Sequence, residues 1–155
     1  MEMPVFTIRG KNHRERGVDY GVQCKELIQG VLERYIRFFN GGHTAVSWDE
    51  AKVISKEFLP FIHSYSPELL DELEGIAQGA DVEFDDLLTL NSRSEAMTLV
   101  RRPPSDKEEL DGCSSVAVLP DASANGHTIL AQNWDTYTWQ EYGTVILQIL
   151  RDDGP

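Results

Sequence analysis

From about Val18 to Phe39, apolar residues recur at Cys24, Leu27, Ile28, Val31, Leu32, Tyr35, Ile36 and Phe39. Spacings of three and four make these one stripe of an amphipathic helix. Helical periodicity governs the chain as far as Pro103; after Cys113 it gives way to short strand-like runs. This change of period constrains the fold more than any other feature. It predicts an α+β chain, with a helical first part followed by antiparallel strands.

Punctuation refines the helical part. Val5 to Ile8 reads as a short strand ended by Gly10, and Gly41-Gly42 closes the long helix. Ser47 and Glu50 fit a capping box, in which each side chain satisfies the other residue's free backbone N–H. The helix that follows is predicted to reach about Phe58 and stop at Pro60. Ser66-Pro67-Glu68 starts another, with a serine cap, a proline in the first turn and an acid near the positive end of the dipole. Gly79 suits its left-handed C-terminal position. Asp85 is expected to cap one more helix, to about Met97.

Val100 to Gly112 contains two prolines and seven charged residues, and so reads as an exposed connection. Ser114 to Leu119 and Thr128 to Asn133 follow as strands joined by an Asp-, Asn- and Gly-containing turn. Thr144 to Leu150 reads as a third strand.

Composition narrows the function classes. The 155 residues carry a formal net charge of -12, which argues against a nucleic-acid partner. No apolar run is long enough for a membrane span, and the first ten residues lack the pattern of a secretory signal, so an intracellular location with no membrane partner is expected. Two distant cysteines make no disulfide framework, no Cys/His spacing suits zinc, and the four histidines are scattered, so no metal is expected. The run from Asp81 to Asp86 resembles a calcium loop only at its start: Asp86 stands where glycine is required, and Ser92 where glutamate is required.

Two thiols remain. Cys24 lies on the apolar stripe and reads as a core residue. Cys113 stands between the charged connection and a strand, directly after Gly112. Read from the residues alone, it is either a small buried residue opening a strand or an exposed nucleophile. Cleavage of the Gly112-Cys113 bond would need an open approach, a permissive residue before the thiol, and the thiol poised over the preceding carbonyl; the loop and the glycine supply the first two.

The longer pattern is more specific. "DGCSS" at Cys113, followed by "AQNWD" at 131–135, resembles the isopenicillin N acyltransferase family of N-terminal-nucleophile hydrolases (peptidase C45-like). "RGVDYGVQCKELI" and "SPELLDELEGIAQGADVEFDDLLTLNSRSE" resemble that family's upstream blocks, in the same order. The resemblance implies a self-cleaving acyltransferase or amidohydrolase precursor cut between Gly112 and Cys113. Residues 1–112 would form an α-subunit-like segment and 113–155 the start of a β-subunit, together one structural domain of a longer protein. The implied fold is an αββα four-layer sandwich, of which this chain holds the first part. With three strands the sandwich is incomplete, and exposed apolar edges or a partner chain, the remainder of the β subunit, are expected.

Site residues follow from the same resemblance. Cys113 would attack its own backbone and then an amide or thioester acyl group. The freed α-amine, with a pKa of about 7.7–8.0 against about 8.5 for a thiol, would take the thiol proton. Asp135 would hold that amine through a charge-assisted hydrogen bond, assisted by Asn133. Ser115 stands where family members carry a hydroxyl associated with self-cleavage. The implied partners are a small-molecule acyl donor and an amine or water acceptor. No cofactor is implied, although a coenzyme A thioester would serve as substrate. The rival reading is a non-catalytic, truncated family member acting as a helical interaction domain.

Overall fold

The computed structural model describes residues 3–99 and 112–150. The Val100 to Gly112 connection therefore lies outside the described residues except for Gly112 itself. The chain divides into two units, residues 1–101 with 142–155 and residues 102–141.

The first unit begins with strand β1 (Val5–Arg9) and helix α1 (His13–Gln23). This helix starts five residues before the apolar stripe announced it. Asn12 Oδ1 accepts from the Glu15 N–H at 2.8 Å, and Glu15 Oε2 accepts from the Lys11 N–H at 3.0 Å. The cap thus recruits the polar stretch His13 to Arg16, which has no apolar period to betray it. The single helix expected through Phe39 is divided: α2 (Lys25–Phe38) follows a bend at Cys24, where φ is -106° and ψ 14°. Backbone bonds from Cys24 to Tyr20 and from Ile28 to Cys24, both 2.9 Å, carry the ladder through the bend. A π-type turn, Phe39–His43, ends α2, with Gly42 at φ 78° taking the left-handed conformation glycine favours.

Helix α3 (Trp48–Lys56) opens with both halves of the expected capping box, Ser47 with Glu50. Pro60 does not end the helical run. It occupies the first turn of α4 (Leu59–Tyr65), where its missing N–H has no intrahelical partner to lose. Helix α5 (Pro67–Ala80) starts at Pro67 as the sequence predicts, but its left-handed cap is Asp81, with φ 56° and ψ 52°, rather than Gly79. The helix predicted from Asp85 to Met97 is two: α6 (Phe84–Asn91) and α7 (Arg93–Leu99). Asp85 stands inside α6, with Lys56 Nζ 2.6 Å from its carboxylate, while Glu83 holds the cap position. The break falls at Ser92, whose hydroxyl donates to the Leu88 carbonyl at 2.9 Å and lies 2.8 Å from Ser55 Oγ. A part-buried serine pair, with Ser55 fully buried, thus accompanies the interrupted ladder.

Helices α1 and α5 meet backbone to backbone. A Cβ placed on Gly17 would collide with the Glu72 carbonyl, and one on Gly79 with that of Val18. Gly79 is therefore required inside the helix by close approach, not after it as a cap. Beneath this contact lies the core, with Cys24, Ile28, Ala77, Ala80 and Leu87 buried together and Phe6, Tyr20 and Ile76 packed against them. A second buried group joins the π-type turn to α3: the Phe39 and Trp48 rings stack edge to face at 5.2 Å, and Trp48 Nε1 donates to Asp86 at 2.8 Å.

The last strand departs from the antiparallel expectation. Strand β4 (Ile146–Leu150) pairs in parallel with β1, from Val5 opposite Ile146 to Arg9 opposite Leu150. Pairing satisfies backbone groups along one edge of β1, and the Ile146 N–H adds a 2.9 Å bond to the Pro4 carbonyl. Strands this far apart in sequence carry no local signal of their pairing.

The second unit contains strands β2 (Ser114–Val118) and β3 (Ile129–Asn133), an antiparallel hairpin in the expected positions. Its apolar residues are open: Val116 is 56% and Leu130 75% exposed. Among the described residues this sheet has two strands. A pair of strands alone is marginally stable in water. No described helix is long and apolar enough to cross a membrane.

Candidate active site

Hairpin register determines which residues meet. Ser114 lies opposite Asn133, and Ser115 opposite Gln132. Cys113, one residue before β2, is therefore brought level with the residues just after β3. Its Sγ lies 3.8 Å from the Asp135 carbonyl oxygen, within reach of the weak bond a thiol donates. The Asp135 carboxylate is turned to its own strand, where Asn133 Nδ2 donates to Oδ1 at 2.9 Å. Cys113, Asn133 and Asp135 thus form one exposed cluster at the end of the hairpin.

Among the described residues, a Cβ on Gly112 would meet nothing within 4 Å. Neither crowding by a described residue nor a positive φ requires glycine there. Ser115 is exposed in β2, two residues from Cys113.

The two thiols differ sharply. Cys24 is 2% exposed, and burial pushes its thiol pKa up, which suits an inert packing residue. Cys113 is exposed. Burial likewise raises the Tyr20 phenol, with a smaller contribution from neighbouring Cys24.

Other polar residues resolve into structural contacts. His13 Nδ1 lies 3.0 Å from Glu72 between α1 and α5, and His43 stacks on Phe38. Arg93 donates to the Leu90 carbonyl at 2.6 Å and lies over the Tyr35 ring. Glu95 borders an apolar groove of about 600 Å³ between α4, α5, α6 and α7, lined by Ile62, Leu69, Leu73 and Leu88. Among the described residues no group of three His, Cys, Asp or Glu is arranged to hold a metal ion.

One residue escaped the sequence reading. Arg16 sits in the first turns of α1, ahead of the apolar stripe, and is nevertheless buried. The signal available was its register: Arg16, Tyr20 and Cys24 fall four apart, on one helix face.

No family model matches the chain. It is similar to β-alanyl-dopamine/carcinine hydrolase of Drosophila melanogaster, with 28% identity over 158 aligned positions, covering 97% of this chain and 38% of the relative. It is also similar to the 40 kDa form of acyl-coenzyme A:6-aminopenicillanic-acid acyltransferase of Emericella nidulans, with 29% identity over 142 positions, covering 88% of this chain and 36% of the relative. The chain thus spans less than two fifths of the length of these two relatives. Over nearly its whole length it is a distant relative of one hydrolase and one acyltransferase.

Proposed function

We propose that the chain belongs to a self-cleaving, N-terminal-cysteine enzyme that transfers acyl groups to water or to an amine. The observation that carries this reading is the hairpin register, which gathers Cys113, Asn133 and Asp135 at one open strand end. Similarity to a hydrolase and an acyltransferase supports the reaction class, since both chemistries begin by attack on an acyl carbonyl.

In the first step Cys113 Sγ attacks the Gly112 carbonyl carbon. The Gly112–Cys113 C–N bond breaks and a thioester forms, with the proton passing to the freed nitrogen. Water then cleaves the thioester, leaving a Gly112 carboxylate and a free Cys113 α-amine. That amine takes the thiol proton when the substrate acyl group arrives. The thiolate adds to the acyl carbonyl, the leaving amine or thiol departs with a proton, and an acyl-Cys113 thioester remains. Water or an acceptor amine attacks that thioester, and Sγ recovers its proton. Asp135 holds the α-amine, and Asn133 holds Asp135 through the 2.9 Å bond. Ser115 assists the cleavage step. The names of the relatives suggest the donors: an amide such as a β-alanyl amine, or a coenzyme A thioester.

Intact-mass spectrometry of freshly purified protein tests the reading. Two fragments are expected, the second beginning with Cys113, and the Cys113→Ala variant should stay whole. A stable single chain indistinguishable from Cys113→Ala would overturn it, and would favour a non-catalytic interaction domain.

A further inference from the structure

The charged side chains at the start of α1 nearly all have partners. His13 meets Glu72, Arg14 meets Glu74 and Gln78, Glu15 accepts from Lys11, and Asp19 accepts from the Arg9 N–H at 2.8 Å and from Gln23 at 2.9 Å. Arg16 is the exception. It is only 8% exposed, and its guanidinium makes no hydrogen bond, ion pair or ring contact with any described residue. The remaining 8% of its surface is exposed, so the residue is not fully sealed from solvent.

Its register makes the position stranger. Arg16 extends the row of Tyr20 and Cys24, which belong to the core, by one further turn. An apolar side chain of similar volume would fill that row without desolvating a charge. A guanidinium does not deprotonate to escape burial, and its planar fork matches an acceptor with two coplanar oxygens. The carboxylates of Glu15, directly before Arg16, and of Asp19, less than one turn after it, are already engaged and add negative potential nearby. That potential disfavours a doubly charged phosphate more than a singly charged carboxylate.

We propose that Arg16 is the binding group of a small-carboxylate site at the first turn of α1. The carboxylate would accept two parallel N–H bonds from the guanidinium. This site is independent of Cys113 chemistry.

The test uses protein labelled with ¹⁵N and follows the Arg16 side-chain Nε–H resonance, identified by its loss in Arg16→Lys. Sodium acetate is titrated against sodium chloride at constant ionic strength, with inorganic phosphate as a third arm. A saturating shift with acetate alone is expected, together with a Tm rise of about 2–4 °C that is lost in Arg16→Met. Cys113→Ala should respond as the unsubstituted protein does, so that failure of the proposed enzyme and failure of this site remain distinguishable. A shift that does not saturate, an equal response to phosphate, or an undiminished Tm rise in Arg16→Met would overturn the proposal. If Arg16→Met does not fold, the resonance titration of the unsubstituted protein still decides the matter.

Discussion

Asn133 Nδ2 donates to the Asp135 carboxylate at 2.9 Å, across the end of strand β3. The bond occupies one carboxylate oxygen, Oδ1, and leaves the other open to an α-amine released beside it. Under the proposed mechanism the two residues differ in weight. Asp135→Asn should remove the charge that holds the amine and lower turnover by about 10²-fold or more. Asn133→Ala should remove one orienting bond, with a loss of about tenfold or less. Steady-state rates and the fraction of cleaved chain, measured together, check both. Equal losses in the two variants would contradict this ordering.

The α1–α5 contact makes a stability prediction that needs no active enzyme. Gly17 faces the Glu72 carbonyl, which is backbone and cannot swing aside. Gly17→Ala should therefore destabilise by about 1–3 kcal/mol through overpacking, although alanine is the better helix former. Gly30 provides the contrast, because its obstacle is the Tyr142 ring, 2.7 Å from a built Cβ. That ring can move, at the expense of its stacking beneath Arg34, so Gly30→Ala should cost less. Urea unfolding of both variants measures the difference.

What the sequence revealed depended on whether its signals were local. The capping box at Ser47, the start at Pro67 and the hairpin strands after Cys113 rest on neighbours within a few residues, and the structure has them where expected. The bends at Cys24 and Ser92 were hidden because the apolar period continues through them. Pro60 misled because proline stops a helix from the inside yet opens one from its first turn. The parallel pairing of β4 with β1 joins opposite ends of the chain, beyond the reach of any local pattern. At the candidate site, the meeting of Cys113 with Asp135 followed from assuming a hairpin, whereas the Asn133 bond required its geometry. Arg16 was invisible because a charged residue in the first turn after a polar cap is ordinarily read as solvated.

The capping box carries a pH signature. Glu50 accepts from the Ser47 N–H and from the Ser47 hydroxyl, each at 2.8 Å, and these bonds hold its carboxyl below the ordinary glutamate range. A carboxyl whose pKa is depressed on folding contributes stability above its unfolded value, about 4.3, and loses it as pH falls through the folded value. Glu50→Gln should therefore narrow its stability difference from the unsubstituted protein between pH 7 and pH 3. Ser47→Ala, which also removes the cap on the Glu50 N–H, should cost about 1 kcal/mol at pH 7. Unfolding curves at the two pH values separate the contributions.

Thiol labelling provides the last prediction, because the two cysteines stand in opposite environments. Cys24 is buried in the core, where desolvation raises its pKa, so it has little thiolate at neutral pH and no open approach. Cys113 is exposed at the strand end. Native protein at pH 7.5 should therefore react with a chromogenic disulfide in two phases. One equivalent should react quickly, and the second only at the rate of local opening around α1 and α2. Cys113→Ser should abolish the fast phase and leave the slow one unchanged. Mild urea should accelerate the slow phase, because it raises the population of opened core. Two equally fast thiols would mean that Cys24 is not buried as described. A fast phase that survives Cys113→Ser would show that Cys113 is not the accessible nucleophile.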